Sequence, residues 1–88
     1  MILAVDIGNT NTNIGSFLGK KLISHFCVDN KNLINQKASF PIKSPLLKES
    51  KNIIIASVNP DIESVFYKSL EKKHKKKIIM LNRFLGLR

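Results

Sequence analysis

Several things are scarce in this sequence, and each scarcity removes a class of protein. Cys27 is the sole cysteine among 88 residues, so no internal disulfide can form and no cysteine cage can hold a metal. There is no tryptophan, and the basic stretch near the C-terminus offers only Phe66 and Tyr67 as aromatic neighbours. That is a poor platform for stacking nucleic-acid bases. Long apolar runs are missing too. Ile2 to Val5 and Ile53 to Val58 are the longest, far short of the roughly 20 residues a membrane span needs. The N-terminus lacks the charged start, apolar stretch and cleavage site of a secretory signal, so a cytoplasmic protein without a membrane segment is expected.

What is present describes a small globular chain. It is 43% hydrophobic and 24% charged, which fits a packed domain and not a disordered one. Its length suits one domain over residues 1–88, of a size that buries only about 60–65% of its unfolded surface. The net charge is +9 and uneven: residues 1–44 carry five Lys against two acids, residues 45–88 eight Lys and two Arg against four. Such a surface attracts polyanions in general without choosing among them. The cluster Lys68, Lys72, Lys73, Lys75, Lys76 and Lys77 reads as a solvated helix face, and no specific nucleic-acid recognition is expected from it.

Periodicity divides the chain into a meander followed by a crossover. Ile2–Val5, Asn13–Leu18 and Lys21–Val28 read as strands, the last two joined by Gly19-Lys20, a tight hairpin link. Alternation in the third strand puts Leu22, Ser24 and Phe26 on one face and Ile23, His25 and Cys27 on the other. Residues 29–51 are harder to read. Leu33-Ile34 can start a short helix and Leu46 to Glu49 can form one turn, but Pro41 and Pro45 interrupt anything longer. Asn52 to Val58 is a continuous apolar run of the kind buried on both faces of a parallel sheet. Asn59-Pro60-Asp61 then supplies an N-cap, a proline at the first helical position and acids near the positive end of the dipole. The helix is expected to run to about Lys75, burying Ile62, Val65, Phe66, Ser69 and Leu70 on one stripe. Lys77–Leu81 forms a fifth strand, and Phe84, Leu85 and Leu87 in the remaining tail need cover.

The chemistry is concentrated between the first two strands, in Asp6-Ile7-Gly8-Asn9-Thr10-Asn11-Thr12-Asn13. A tight polar turn after a buried strand offers backbone amides and hydroxyls at one point, which suits phosphate oxygens. Asp6 cannot face a triphosphate bare. Two like charges about 5 Å apart repel by roughly 3 kcal/mol at an effective dielectric near 20. A Mg²⁺ between them resolves this, since it is held by one or two carboxylates plus substrate phosphates. The plainer reading is a β-hairpin in which Gly8 and Asn9 take positive φ and Asp6 caps the turn. The two are compatible. His25 and His74 lie in different elements without an evident partner, which argues against catalysis by either.

Residues Met1 to Gly15 resemble the opening of the type III pantothenate kinases, members of the sugar kinase/actin superfamily. Asp6, Gly8, Asn9, Thr10, Asn11, Thr12 and Gly15 match that family's Asp-x-Gly-Asn-Thr-Asn-Thr segment and the glycine beyond it. Ile53 to Pro60 resembles the family's strand ending in Ser-Val-Val-Pro, with Asn59 in place of the second valine. The resemblance implies one ribonuclease H-like half-domain of α/β class. It would be a mixed five-stranded sheet with one clear helix and a shortened crossover. It also implies ATP-dependent phosphorylation of pantothenate towards coenzyme A, with Mg²⁺ and a monovalent cation (K⁺ or NH₄⁺), often in a dimer. Asp6, Gly8, Asn9, Thr10, Asn11, Thr12 and Asn13 would bind the nucleotide, with Asp6 on the metal. The family's Gly-Ala-Asp-Arg stretch, which carries the base, and its second Asp-x-Gly-Thr loop do not occur in these residues. This predicts a phosphate-binding lobe, inactive alone, that needs a second lobe or a homodimer partner. Two alternatives remain: a non-catalytic nucleotide-binding or regulatory accessory protein of the same family, and a metal-dependent nuclease of ribonuclease H type.

Overall fold

A computed structural model describes residues 1–35 and 42–81. The elements follow as β1 (Ile2–Ile7), β2 (Asn11–Leu18), β3 (Lys21–Asp29), α1 (Asn30–Asn35), α2 (Ser44–Glu49), β4 (Asn52–Ser57), α3 (Pro60–Ser69), α4 (Lys72–Lys75) and β5 (Ile78–Leu81). They build one mixed sheet in the order β3-β2-β1-β4-β5. β1 pairs antiparallel with β2 and parallel with β4. β3 is antiparallel to β2, and β5 is parallel to β4. This is the half-domain arrangement expected of the actin-like, ribonuclease H-like fold, with β1 at its centre.

The core lies on one side of that sheet. Leu3, Val5 and Ile7 from β1, Ile14 from β2, and Ile53 and Ile55 from β4 meet Leu33 of α1, Leu47 of α2, and Ile62 and Phe66 of α3. These strand residues all have the same parity within their strands, so a single face is packed and the alternate residues form the other face. Ile54 and Ala56 are only half-buried. The apolar run of β4 therefore does not mark burial on both faces among the described residues. It reflects a core side and a second side carrying Ala4, Phe17, Ile54 and Leu81.

Four local expectations need correction. The first two strands extend into the motif: Asp6 and Ile7 belong to β1, and β2 begins at Asn11. The turn between them has no positive φ, since Gly19, at 62°, is the sole such residue among those described. Leu22 sits opposite Phe17, on the His25 side of the sheet, because a register shift between Ser16 and Phe17 moves it across the pleat. Finally, the helix after β4 stops at Ser69, with Leu70 extended (φ −84°, ψ 142°) and α4 beginning afresh at Lys72.

The break in that helix has a physical cause. An unbroken helix to Lys75 would stack Lys68 on Lys72 at a spacing of four, where like charges repel, and the break separates this pair. Leu70 keeps its place in the core across the break and is 4% exposed. The break also lets Lys75 lie over the Tyr67 ring at 4.8 Å, a cation–π contact. Val65 is half-buried and Ser69 exposed, so the apolar stripe narrows to Ile62, Phe66 and Leu70. Pro41, expected to interrupt a helix, and Phe84, Leu85 and Leu87, expected to need cover, lie outside the described residues.

Candidate functional site

Two connections lie side by side at one end of the central strands. β1 and β4 are parallel neighbours, with Asp6 opposite Ala56 and Ile7 opposite Ser57. The ladder continues one step further, as Val58 N–H donates to Ile7 O at 3.0 Å. The chain leaving β1 forms the Gly8–Thr12 loop, and the chain leaving β4 enters α3. Asn59 caps that helix, its Oδ1 accepting from Ile62 N–H at 3.2 Å, and Ser57 Oγ accepts from Asn59 N–H at 3.1 Å. The Asn59 amide approaches Asn9 O at 3.5 Å. Carboxyl ends of parallel strands are where such sheets bind ligands.

The motif residues do not share one environment. Asn9, Thr10 and Asn11 are exposed at the tip, while Gly8 and Asn13 are half-buried. Thr12 is wholly buried, and its hydroxyl donates to Asn30 Oδ1 at 2.8 Å. A side chain at Gly8 would place its Cβ 3.0 Å from Asn11 O, so the hairpin closes tightly only around glycine. Asp6 is exposed and stands opposite Asn13. Together with His25 these two line a shallow cavity of about 340 Å³ on the second face of the sheet. On the other side of the loop, Asn9, Thr10, Asp29, Asn30, Lys31 and Asn59 border a cavity of about 290 Å³.

Two residues here were not legible as site residues from the sequence. His25 borders the Asp6 cavity, its Nε2 3.3 Å from Asn13 Oδ1; only the β2–β3 register puts it there. Asn30 looked like one of several asparagines after β3. The available signal was its place directly after an extended segment, where asparagine side chains commonly bond nearby backbone.

The donor set can be tested against a metal-bound nucleotide. Among the described residues no group of three or more His, Cys, Asp or Glu side chains gathers closely enough to hold a metal. The ligands for two-metal hydrolysis, as in a nuclease, are therefore not assembled within them. One exposed carboxylate beside a loop of amides and hydroxyls would suit a single divalent cation instead, with Asp6 as the protein ligand it would use.

Fold and site together describe a half-domain of actin-like type with a polar loop at the mouth of its central strands. The family model for type III pantothenate kinases matches residues 2–85. A type III pantothenate kinase of Thermus thermophilus is 35% identical over 77 residues, covering 82% of this chain and 31% of that protein. One from Desulforapulum autotrophicum is 40% identical over 73 residues, covering 74% of this chain and 28% of its own length. One from Myxococcus xanthus is 30% identical over 81 residues. The chain belongs to the type III pantothenate kinase family, and it spans about a third of the length of the relatives it matches.

Proposed function

We propose that this chain is the phosphate-binding lobe of a pantothenate kinase, acting in the cytoplasm in coenzyme A biosynthesis. In this reading the Asp6–Asn13 segment receives the phosphates of ATP. Asp6 holds a Mg²⁺, which when bound neutralises phosphate charge; a monovalent cation, K⁺ or NH₄⁺, completes the set the family resemblance implies. The observation that carries the reading is convergence. The two segments that resemble the family, 50 residues apart at their tips, meet at the ends of β1 and β4, with Asn59 against Asn9.

Phosphoryl transfer depends on positioning and on charge stabilisation around the transferred group. The 88 residues supply one wall of such a cleft, and the relatives are about three times as long. The residues as given therefore bind Mg-ATP weakly and need a second lobe or a partner chain for turnover. Calorimetry or NMR titration with Mg-ATP tests this. Binding is expected for the wild type and is lost or much weakened in Asp6→Asn, with no pantothenate phosphorylation in the presence of ATP, Mg²⁺ and K⁺. Binding unaffected by Asp6→Asn sinks the metal assignment. Turnover by the 88 residues alone sinks the half-cleft reading.

A further inference from the structure

We infer that Asn30 is the positioning residue of the Gly8–Thr12 loop, holding its carbonyls back so that the amides of Asn9 and Asn11 face away from it and are free to meet phosphate. This rests on the reading of that loop given above. A two-residue hairpin loop ordinarily takes a primed turn with positive φ, which matches the twist of its strands. Asn9 and Thr10 occupy such a loop, because Gly8 N–H donates to Asn11 O at 2.9 Å. Yet neither has positive φ. Something outside the hairpin must hold this unprimed turn.

Asn30 makes three contacts that do so. Its Nδ2 donates to Gly8 O at 2.9 Å. Its backbone N–H donates to Thr10 O at 2.8 Å. Its Oδ1 accepts from Thr12 Oγ1 at 2.8 Å. Asn30 is 5% exposed and Thr12 wholly buried, so these bonds are shielded from exchange with water and leaving one unmade is costly. In a planar trans peptide the N–H points opposite to the preceding C=O. Drawing the Gly8 and Thr10 carbonyls towards Asn30 therefore turns the Asn9 and Asn11 N–H groups away from it. Both residues are exposed. The side-chain contacts need a carboxamide: aspartate cannot donate to Gly8 O, and alanine reaches neither partner.

Amide hydrogen exchange and Mg-ATP titration on the full chain test this, using Asn30→Asp, Thr12→Val and, as a charge control, Asn32→Asp on the exposed side of α1. Exchange at the bonded loop amides, Gly8 N–H (to Asn11 O) and Asn30 N–H (to Thr10 O), is expected to speed up by about tenfold or more in Asn30→Asp, equivalent to roughly 1.4 kcal/mol. Interior amides of β1 and β4 should keep their rates. Mg-ATP should bind about tenfold more weakly to Asn30→Asp and as wild type to Asn32→Asp. Should Asn30→Asp fail to fold, Thr12→Val, which matches threonine in size, is held to the same loop-exchange criterion. Unchanged loop exchange, or acceleration spread evenly over the sheet, overturns the role of Asn30. So does Mg-ATP affinity that ignores Asn30. Absence of Mg-ATP binding in the wild type overturns the phosphate reading instead and leaves exchange to decide what Asn30 does.

Discussion

Among single residues, His74 has the least comfortable position. It is 2% exposed in α4, and neither ring nitrogen has a hydrogen-bond partner among the described residues. Burial holds its pKa below the ordinary 6.5, helped by Lys77, Lys73 and Lys48, while Glu71 opposes. The unfolded chain therefore takes up a proton at a higher pH than the fold does. The stability associated with neutral His74 is present above the unfolded value and is lost as pH falls through 6.5 towards the folded one. Replacing an unsatisfied buried polar group by an apolar one of similar size is stabilising, by about 1 kcal/mol. His74→Leu should raise the urea midpoint at neutral pH and flatten the decline that sets in as pH falls through 6.5. An equally steep decline in His74→Leu would assign the acid sensitivity to other groups.

At the scale of elements, the cap of α3 links folding to the site. Asn59 accepts from Ile62 N–H through its side chain while its own N–H is bonded to Ser57 Oγ. Asn59→Ala should cost about 1 kcal/mol in chemical denaturation, and Asn59→Asp should recover most of it. A cost recovered equally by Asn59→Leu would rule out capping. This helix start was legible because Asn-Pro-Asp encodes it locally, through cap chemistry, a fixed proline φ and favourable charges. The β2–β3 hairpin was equally local, marked by Gly19, whereas the mixed sheet came with the family resemblance and the β4 run, read as buried on both faces, packs on one. What the sequence concealed depends on contacts between distant residues. Asn30 acts through Gly8 and Thr12, 22 and 18 positions away. Leu22 crosses the pleat because of a register shift that begins in another strand. The end of α3 is not marked in the periodicity, which continues through Leu70, whereas the chain turns extended there and parts Lys68 from Lys72.

For the molecule as a whole, a charge of +9 coexists with a loop read here as a nucleotide site, and the two must be separated by experiment. Polyanions bind to diffuse positive charge by releasing counterions, which makes affinity fall steeply with salt. Lys72, Lys73 and Lys76 are exposed on or just after α4. Lys75 is occupied over Tyr67, and Lys77 donates to Leu47 O at 2.7 Å. Duplex DNA should therefore bind without sequence preference and be largely released between about 50 and 200 mM salt. A Lys72→Ala, Lys73→Ala, Lys76→Ala triple variant should reduce the slope of log K against log salt by about 0.9 for each phosphate contact removed. Mg-ATP held by oriented amides and a shared metal carries less net charge and meets directional donors, so its affinity should vary less over the same series and ignore the triple variant. If ATP and DNA lose affinity in parallel, and both follow the lysines, the attraction belongs to the surface charge and the Gly8–Thr12 loop has no special claim on phosphate.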